Sequence, residues 1–268
     1  MILWILFAIA AACSILICAL AGLYWLLALP IFIGCYILLL LLWLVPCAGT
    51  AAFIDKKKPV TNYSPLYGYY LARIIGAIMT ALRVRLQVTG MDKLPEERFL
   101  FVGNHRSFID PLAEMLIFRR QRVGFVAKKE LFDIPMVGRL MHRVFCLSLN
   151  RGTPKDEVLT IRRAIEVIQS GEASIGIYPE GTRNSEPGLL PFKNGAFKIA
   201  QRAECPIVVG VIHRSDEVRH RFPLHRTPVK LEILGVLEPE FVKEHTSIEI
   251  GQEVRRMMSD ALGLPTAA

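Results

Sequence analysis

In the stretch VGNHRSFIDPLAEM, residues 102–115, an imidazole and a carboxylate, His105 and Asp110, stand five positions apart. A neutral imidazole is well suited to take a proton near pH 7. A carboxylate bonded to its other nitrogen fixes the tautomer and stabilises the imidazolium that forms. Apolar residues run up to the pair as in a strand and follow it as in a helix. Over five residues a regular helix rotates a side chain by about 500°, leaving the two about 140° apart, so they cannot share one helical face. They meet only if His105 occupies the loop after the strand and Asp110 lies at or just inside a helix start marked by Pro111. A second reading uses the same geometry. Asp110 caps or charge-complements that helix, Ser107 with Asp110 resembles a capping box, and His105 is an ordinary turn residue. Taken alone, the motif leaves both readings open.

The elements that must position these residues alternate between strand-like and helix-like segments. RVRLQVTG, residues 83–90, sets Val84, Leu86 and Val88 against Arg83, Arg85 and Gln87, which predicts a half-buried strand. Residues 98–103, 122–127, 144–150, 173–179, 206–212 and 229–236 read as further strands. Residues 154–171 read as a helix with Val158, Ile161, Ile165 and Ile168 on its apolar face and Gly171 at its end. Residues 247–263 read as a closing helix. Such alternation predicts an α/β fold with a mixed, mostly buried sheet flanked by helices.

No Asp, Glu, Lys or Arg occurs before Asp55. At about 1.5 Å per helical residue, that run is roughly twice what a hydrocarbon core of about 30 Å requires, which predicts two transmembrane helices. They fall near residues 2–19 and 24–44, with AGLYW as the turn. A signal peptide fits less well, because the first residues lack Lys and Arg and the apolar block continues past any cleavage point. The DKKKP run from Asp55 places the following domain, and both termini, on the cytoplasmic side. Residues 65–82 predict a helix that lies in the interface or braces the soluble domain, since a third span would bury Arg73. The expected organisation is a transmembrane hairpin at 1–54, a basic stop and interfacial helix linker at 55–87, and a cytoplasmic α/β domain at 88–268.

The formal charge of +8 belongs wholly to the part after residue 54, whose 32 basic and 24 acidic residues direct it toward a phospholipid membrane and anionic substrates. The basic residues are dispersed and accompany no nucleic-acid reader motif, so no nucleic acid is expected as a partner. Cys13, Cys18, Cys35 and Cys47 lie in the apolar block, with Cys146 and Cys205 far apart beyond it. That spacing implies neither a disulfide framework nor a metal site.

Four blocks in order carry a family resemblance: NHRSFID (104–110), FCLSLNRG (145–152), YPEGTRN (178–184) and CPIVVGVI (205–212). Across about residues 88–215 they resemble the glycerolipid acyltransferase family, the group similar to bacterial 1-acylglycerol-3-phosphate acyltransferases. The segments 127–141 and 189–200 also resemble that family's connecting segments. The resemblance implies transfer of a fatty acyl chain from acyl-CoA or acyl carrier protein to the free hydroxyl of lysophosphatidic acid, giving phosphatidic acid. It makes His105 the general base, oriented by Asp110, with direct attack by the substrate hydroxyl and no bound cofactor or metal. It assigns Arg183 to the substrate phosphate, and Glu180, Gly181 and Thr182 to the acceptor site.

In YPEGTRN, a Gly near an Arg after a strand offers close backbone approach and a planar bidentate donor. It is no nucleotide loop, because Arg183 stands where Lys is needed and Pro179 lacks an amide donor. Arg151, closing the second block, is a further candidate phosphate contact, and Lys128 or its neighbour Lys129 another cation. The second block departs from the family's Phe-Ile-x-Arg by reading Leu-Asn-Arg at 149–151. Ser107 is a rival nucleophile, but no Gly-x-Ser-x-Gly elbow occurs. The competing functions are acylation of another acceptor (glycerol 3-phosphate, another lysophospholipid, an amino-acid lipid), lipid hydrolysis and non-enzymatic lipid binding.

Overall fold

A computed structural model describes residues 2–56, 58–150, 154–184 and 186–264. The chain divides into two units, Met1–Asp55 and Lys56–Ala268. In the first, α1 (Ile2–Leu20) and α2 (Ala28–Ala52) are joined through a short 3-10 turn, Trp25–Leu27. Leu6, Ala10, Ser14 and Cys18 recur at four-residue intervals and form the buried stripe of α1. Such small side chains let helix backbones approach closely. Ser14 Oγ donates to the Ala28 carbonyl at 2.6 Å. Outward-facing Leu16, Leu20, Leu38, Leu42 and Val45 are exposed. The second helix runs past the expected Leu44 to Ala52, with Pro46 inside it.

The second unit contains α3 (Pro65–Ala81), β1 (Val84–Thr89), β2 (Leu100–Gly103), α4 (Ile109–Ile117), β3 (Gly124–Lys128), α5 (Lys129–Asp133), α6 (Val137–Arg143) and β4 (Leu147–Leu149). It continues with α7 (Pro154–Gln169), β5 (Ile175–Ile177), α8 (Lys198–Ala203), β6 (Ile207–His213), α9 (Val218–Arg221), β7 (Thr227–Leu237), α10 (Pro239–Glu244) and α11 (Ser247–Leu262). Each expected strand forms, and all seven join one sheet of order β1-β7-β6-β2-β5-β3-β4. The sheet is mixed, since β7 pairs antiparallel with β6 while every other pairing is parallel.

Alternation along β2 explains the layering. Phe99 and Phe101 face one core with Ile75 and Met79 of α3 and Ile109 and Ala113 of α4. Leu100 and Val102 face the opposite core with Ala164 and Val167 of α7, Ile199 of α8 and Val254 of α11. Both faces being covered, central strands read as continuous apolar runs. The 65–82 segment therefore braces the domain, with Ile75 and Met79 buried.

On α7 the expected face holds at Ile161 and Ile165, half-buried against the core, and at Ile168, which is buried, but not at Val158, which is 61% exposed. Thr160 is buried nearby, its hydroxyl donating to the Ser148 carbonyl at 2.9 Å.

Candidate active site

The strands β2, β5 and β6 are parallel neighbours, so the loops leaving their C-terminal ends lie side by side. His105 leaves β2 and Tyr178 to Gly181 leave β5. The two loops are stitched together. Asn184 N donates to the His105 carbonyl at 2.7 Å, and His105 N donates to Glu180 Oε1 at 2.9 Å. Leu190 N donates to the other Glu180 oxygen, at 2.9 Å. Asn104 donates through Nδ2 to the Ile212 carbonyl and accepts its N–H at Oδ1, at 3.2 and 2.8 Å, extending the β2–β6 pairing by a side-chain amide.

Asp110 is the second residue of α4, one turn of backbone beyond the loop. Its Oδ2 lies 2.9 Å from His105 Nδ1 and accepts the N–H groups of Arg106 at 2.6 Å and Ser107 at 2.7 Å. One oxygen thus holds the turn at the helix start and the imidazole together, the geometry that both readings of the sequence required. With Asp110 as a carboxylate, which only accepts, a neutral imidazole would carry its hydrogen on Nδ1 and keep the lone pair on Nε2. Asp110 is fully buried, while the His105 side chain keeps 17% exposure.

The imidazole stacks on Tyr178 with ring centroids 4.2 Å apart and planes 6° from parallel. Tyr178 is bonded through its hydroxyl to Glu114 Oε2 at 2.5 Å. Glu114 lies one turn after Asp110 on α4 and is fully buried. Burial, and then the Asp110 charge, push its carboxyl well above the usual range. Burial also raises the Glu180 carboxyl, against the pull of its two backbone N–H donors. Arg106 is committed elsewhere, gripping both oxygens of Asp216 at 3.2 and 2.8 Å and the Glu186 carbonyl at 3.0 Å. Its hydrogen bond holds the Asp216 carboxyl below the ordinary value.

His105 lies on a cavity of about 460 Å³ whose wall includes Phe125, Val126, Ile161, Ile177 and Ile199. Of the residues singled out in the sequence, His105, Lys128, Gly181, Thr182 and Arg183 line it. Glu180 does not; its carboxylate is buried behind the loop and used by backbone donors. Gly181 closes the turn at φ +68°, where a side chain would be strained and its Cβ would meet Lys193 at 3.0 Å. Arg151 lies outside the described residues. Ser107, the rival nucleophile, is buried, absent from the cavity wall, and accepts Ile109 N at its Oγ. Lys193 joins Lys128 and Arg183 as an exposed cation on the cavity wall.

The sequence reading passed over Lys193, Tyr178, Glu114 and Asn104. Only Glu114 carried a local signal, its i+4 spacing from Asp110, which puts both on one helical face. The others depend on contacts between distant loops.

Residues 85–213 match the family model described as Acyltransferase. The 1-acyl-sn-glycerol-3-phosphate acyltransferase BAT2, chloroplastic, of Brassica napus is 31% identical over 149 residues, 55% of this chain and 42% of that protein. The 1-acyl-sn-glycerol-3-phosphate acyltransferase of Saccharomyces cerevisiae is 29% identical over 190 residues, 68% of this chain and 61% of that protein. The chain thus spans about half the length of these relatives. The crystal structure of the 1-acyl-sn-glycerophosphate (LPA) acyltransferase PlsC from Thermotoga maritima superposes with a TM-score of 0.61 at 24% identity. That match covers 73% of this chain and 78% of that one, and speaks to the fold.

Proposed function

We propose that this chain, whose residues 85–213 form an acyltransferase-family domain, moves a fatty acyl group from a thioester to the free hydroxyl of lysophosphatidic acid, giving phosphatidic acid. The observation that carries the reading is the His105–Asp110 pair, 2.9 Å apart, with His105 on the wall of a largely apolar cavity that three cations also border. An acyl chain suits the apolar wall, and a phosphate suits Arg183, Lys128 and Lys193, with Arg183 offering the bidentate geometry.

In the proposed chemistry, His105 Nε2 takes the proton of the acceptor hydroxyl as its oxygen attacks the thioester carbonyl carbon. The new C–O bond forms, the C–S bond breaks, and the imidazolium returns its proton to the departing thiolate. Asp110 holds Nδ1–H throughout and stabilises the charged ring, an arrangement contributing about 10² to 10⁴ in rate. No metal or bound cofactor enters; coenzyme A or acyl carrier protein brings the acyl group as co-substrate. The helices α1 and α2, of 19 and 25 residues, are each long enough to cross a membrane and support an integral membrane location; the basic run after Asp55 is what favours the domain on the cytoplasmic face. Residence in the bilayer raises the local concentration of both lipid substrate and product.

The test is to incubate the purified full chain with lysophosphatidic acid, glycerol 3-phosphate and monoacylglycerol, each with acyl-CoA and with acyl carrier protein, and to identify products by mass spectrometry. Phosphatidic acid from lysophosphatidic acid is expected. Acylation of monoacylglycerol alone, or release of free fatty acid without acceptor, overturns the reading.

A further inference from the structure

We propose that Tyr178 and Glu114 are positioning residues for the base: the Tyr178 ring, set between Phe125 and His105 and tied by its hydroxyl to Glu114, holds the imidazole in the plane that turns its free nitrogen to the cavity. The inference rests on the acyl transfer proposed above and deepens it. A single bond from Asp110 Oδ2 to Nδ1 fixes one point of the imidazole and leaves the ring free to swing about it. A parallel ring 4.2 Å away blocks that swing.

Tyr178 can act as such a plate because it is itself anchored. Its other neighbour, Phe125, lies 5.6 Å away at 21° and is part of the core. Gly176 makes room for that arrangement, since a Cβ there would come within 2.3 Å of the Phe125 ring. The second anchor is the 2.5 Å bond from the Tyr178 hydroxyl to Glu114, which is fully buried on the same face of α4 as Asp110. One element therefore grips the imidazole twice, edge-on through Asp110 and face-on through Glu114 and Tyr178. Burial favours the protonated form of the Glu114 carboxyl, so its bond to Tyr178 brings little added negative charge behind the base. A second buried anion would compete with Asp110 for the imidazolium.

The experiment measures kcat and the KM for lysophosphatidic acid in the full chain carrying Tyr178→Leu, Tyr178→Phe or Glu114→Gln. It also follows the His105 ring-proton resonance, which stacking displaces upfield by ring current. Tyr178→Leu is expected to lower kcat about tenfold to a hundredfold with KM unchanged, as loss of orientation predicts. Tyr178→Phe keeps the ring but loses the tie to Glu114 and should fall about threefold to tenfold with KM unchanged, while Glu114→Gln, which keeps an uncharged partner for the hydroxyl, should stay within about threefold. The upfield shift should vanish in Tyr178→Leu, weaken in Tyr178→Phe and persist in Glu114→Gln. Wild-type kcat in Tyr178→Leu or in Tyr178→Phe, or a raised KM as the main effect of either, overturns the proposal. If Tyr178→Leu fails to fold, the two volume-keeping variants and the resonance still decide it. A wild-type chain that shows the shifted resonance but makes no phosphatidic acid defeats the transfer reading and leaves the clamp standing.

Discussion

Asp110 Oδ2 accepts from three donors, His105 Nδ1 and the backbone N–H groups of Arg106 and Ser107. This is why the motif reads as a cap and as a catalytic pair with equal justice: the spacing needed to hold the turn is the spacing that brings the imidazole to the carboxylate. The pair was legible in the sequence because its geometry is local. Glu114 shows the other side of residue-scale physics, a buried carboxyl that keeps its proton through burial and the Asp110 charge. The folded chain then holds a proton that the unfolded chain releases once pH passes the ordinary carboxyl value. Stability therefore falls as pH rises from that value, by about 1.4 kcal/mol per pH unit, until the raised folded value is passed. Glu114→Gln removes this dependence. Thermal melts between acid and neutral pH should show the variant gaining on the unsubstituted chain as pH rises; a constant difference would mean the carboxyl is not so held.

At the scale of elements, the site exists because parallel β2, β5 and β6 end together and release their loops side by side. Asn104 secures the junction, its amide satisfying both backbone groups of Ile212 in the buried interior. Asn104→Ala leaves that N–H and C=O without the partner, at about 1–3 kcal/mol for each group. Denaturant unfolding of the variant should register that loss in its midpoint; an unchanged midpoint would show that Asn104 carries no part of the junction. The strands were legible because doubly buried runs and the β1 alternation are strong patterns. On α7 the aliphatic periodicity found Ile161, Ile165 and Ile168 but not the buried Thr160, whose hydroxyl is satisfied by Ser148. Strand order, and with it the Tyr178 stack on His105, rests on contacts between residues 73 positions apart, beyond the reach of any local pattern.

At the scale of the whole molecule, the chain divides into an apolar N-terminal unit, Met1–Asp55, and a unit from Lys56 onward that holds the sheet and the cavity. The uncharged N-terminal run made the first legible, down to the two helices, while the length of α2 exceeded the hydropathic core because helical hydrogen bonding continues through Pro46 to Ala52. The net charge of +8 is the global counterpart of the three cations that, beside Glu157, border the cavity wall, and it accords with the anionic acceptor proposed above. The cavity itself left no mark in the sequence, since its wall draws on Val126, Ile161, Ile177 and Ile199 from four separate elements. The proposed chemistry rests on a single nitrogen, His105 Nε2, as the acceptor of the hydroxyl proton. The measurement that tests this most directly is phosphatidic acid formation from lysophosphatidic acid and an acyl thioester by the purified full chain and its His105→Ala variant, with melting temperatures recorded for both. The account predicts a loss of about 10² to 10⁴ in kcat with the melting temperature preserved; turnover by the variant at the rate of the unsubstituted chain would contradict it.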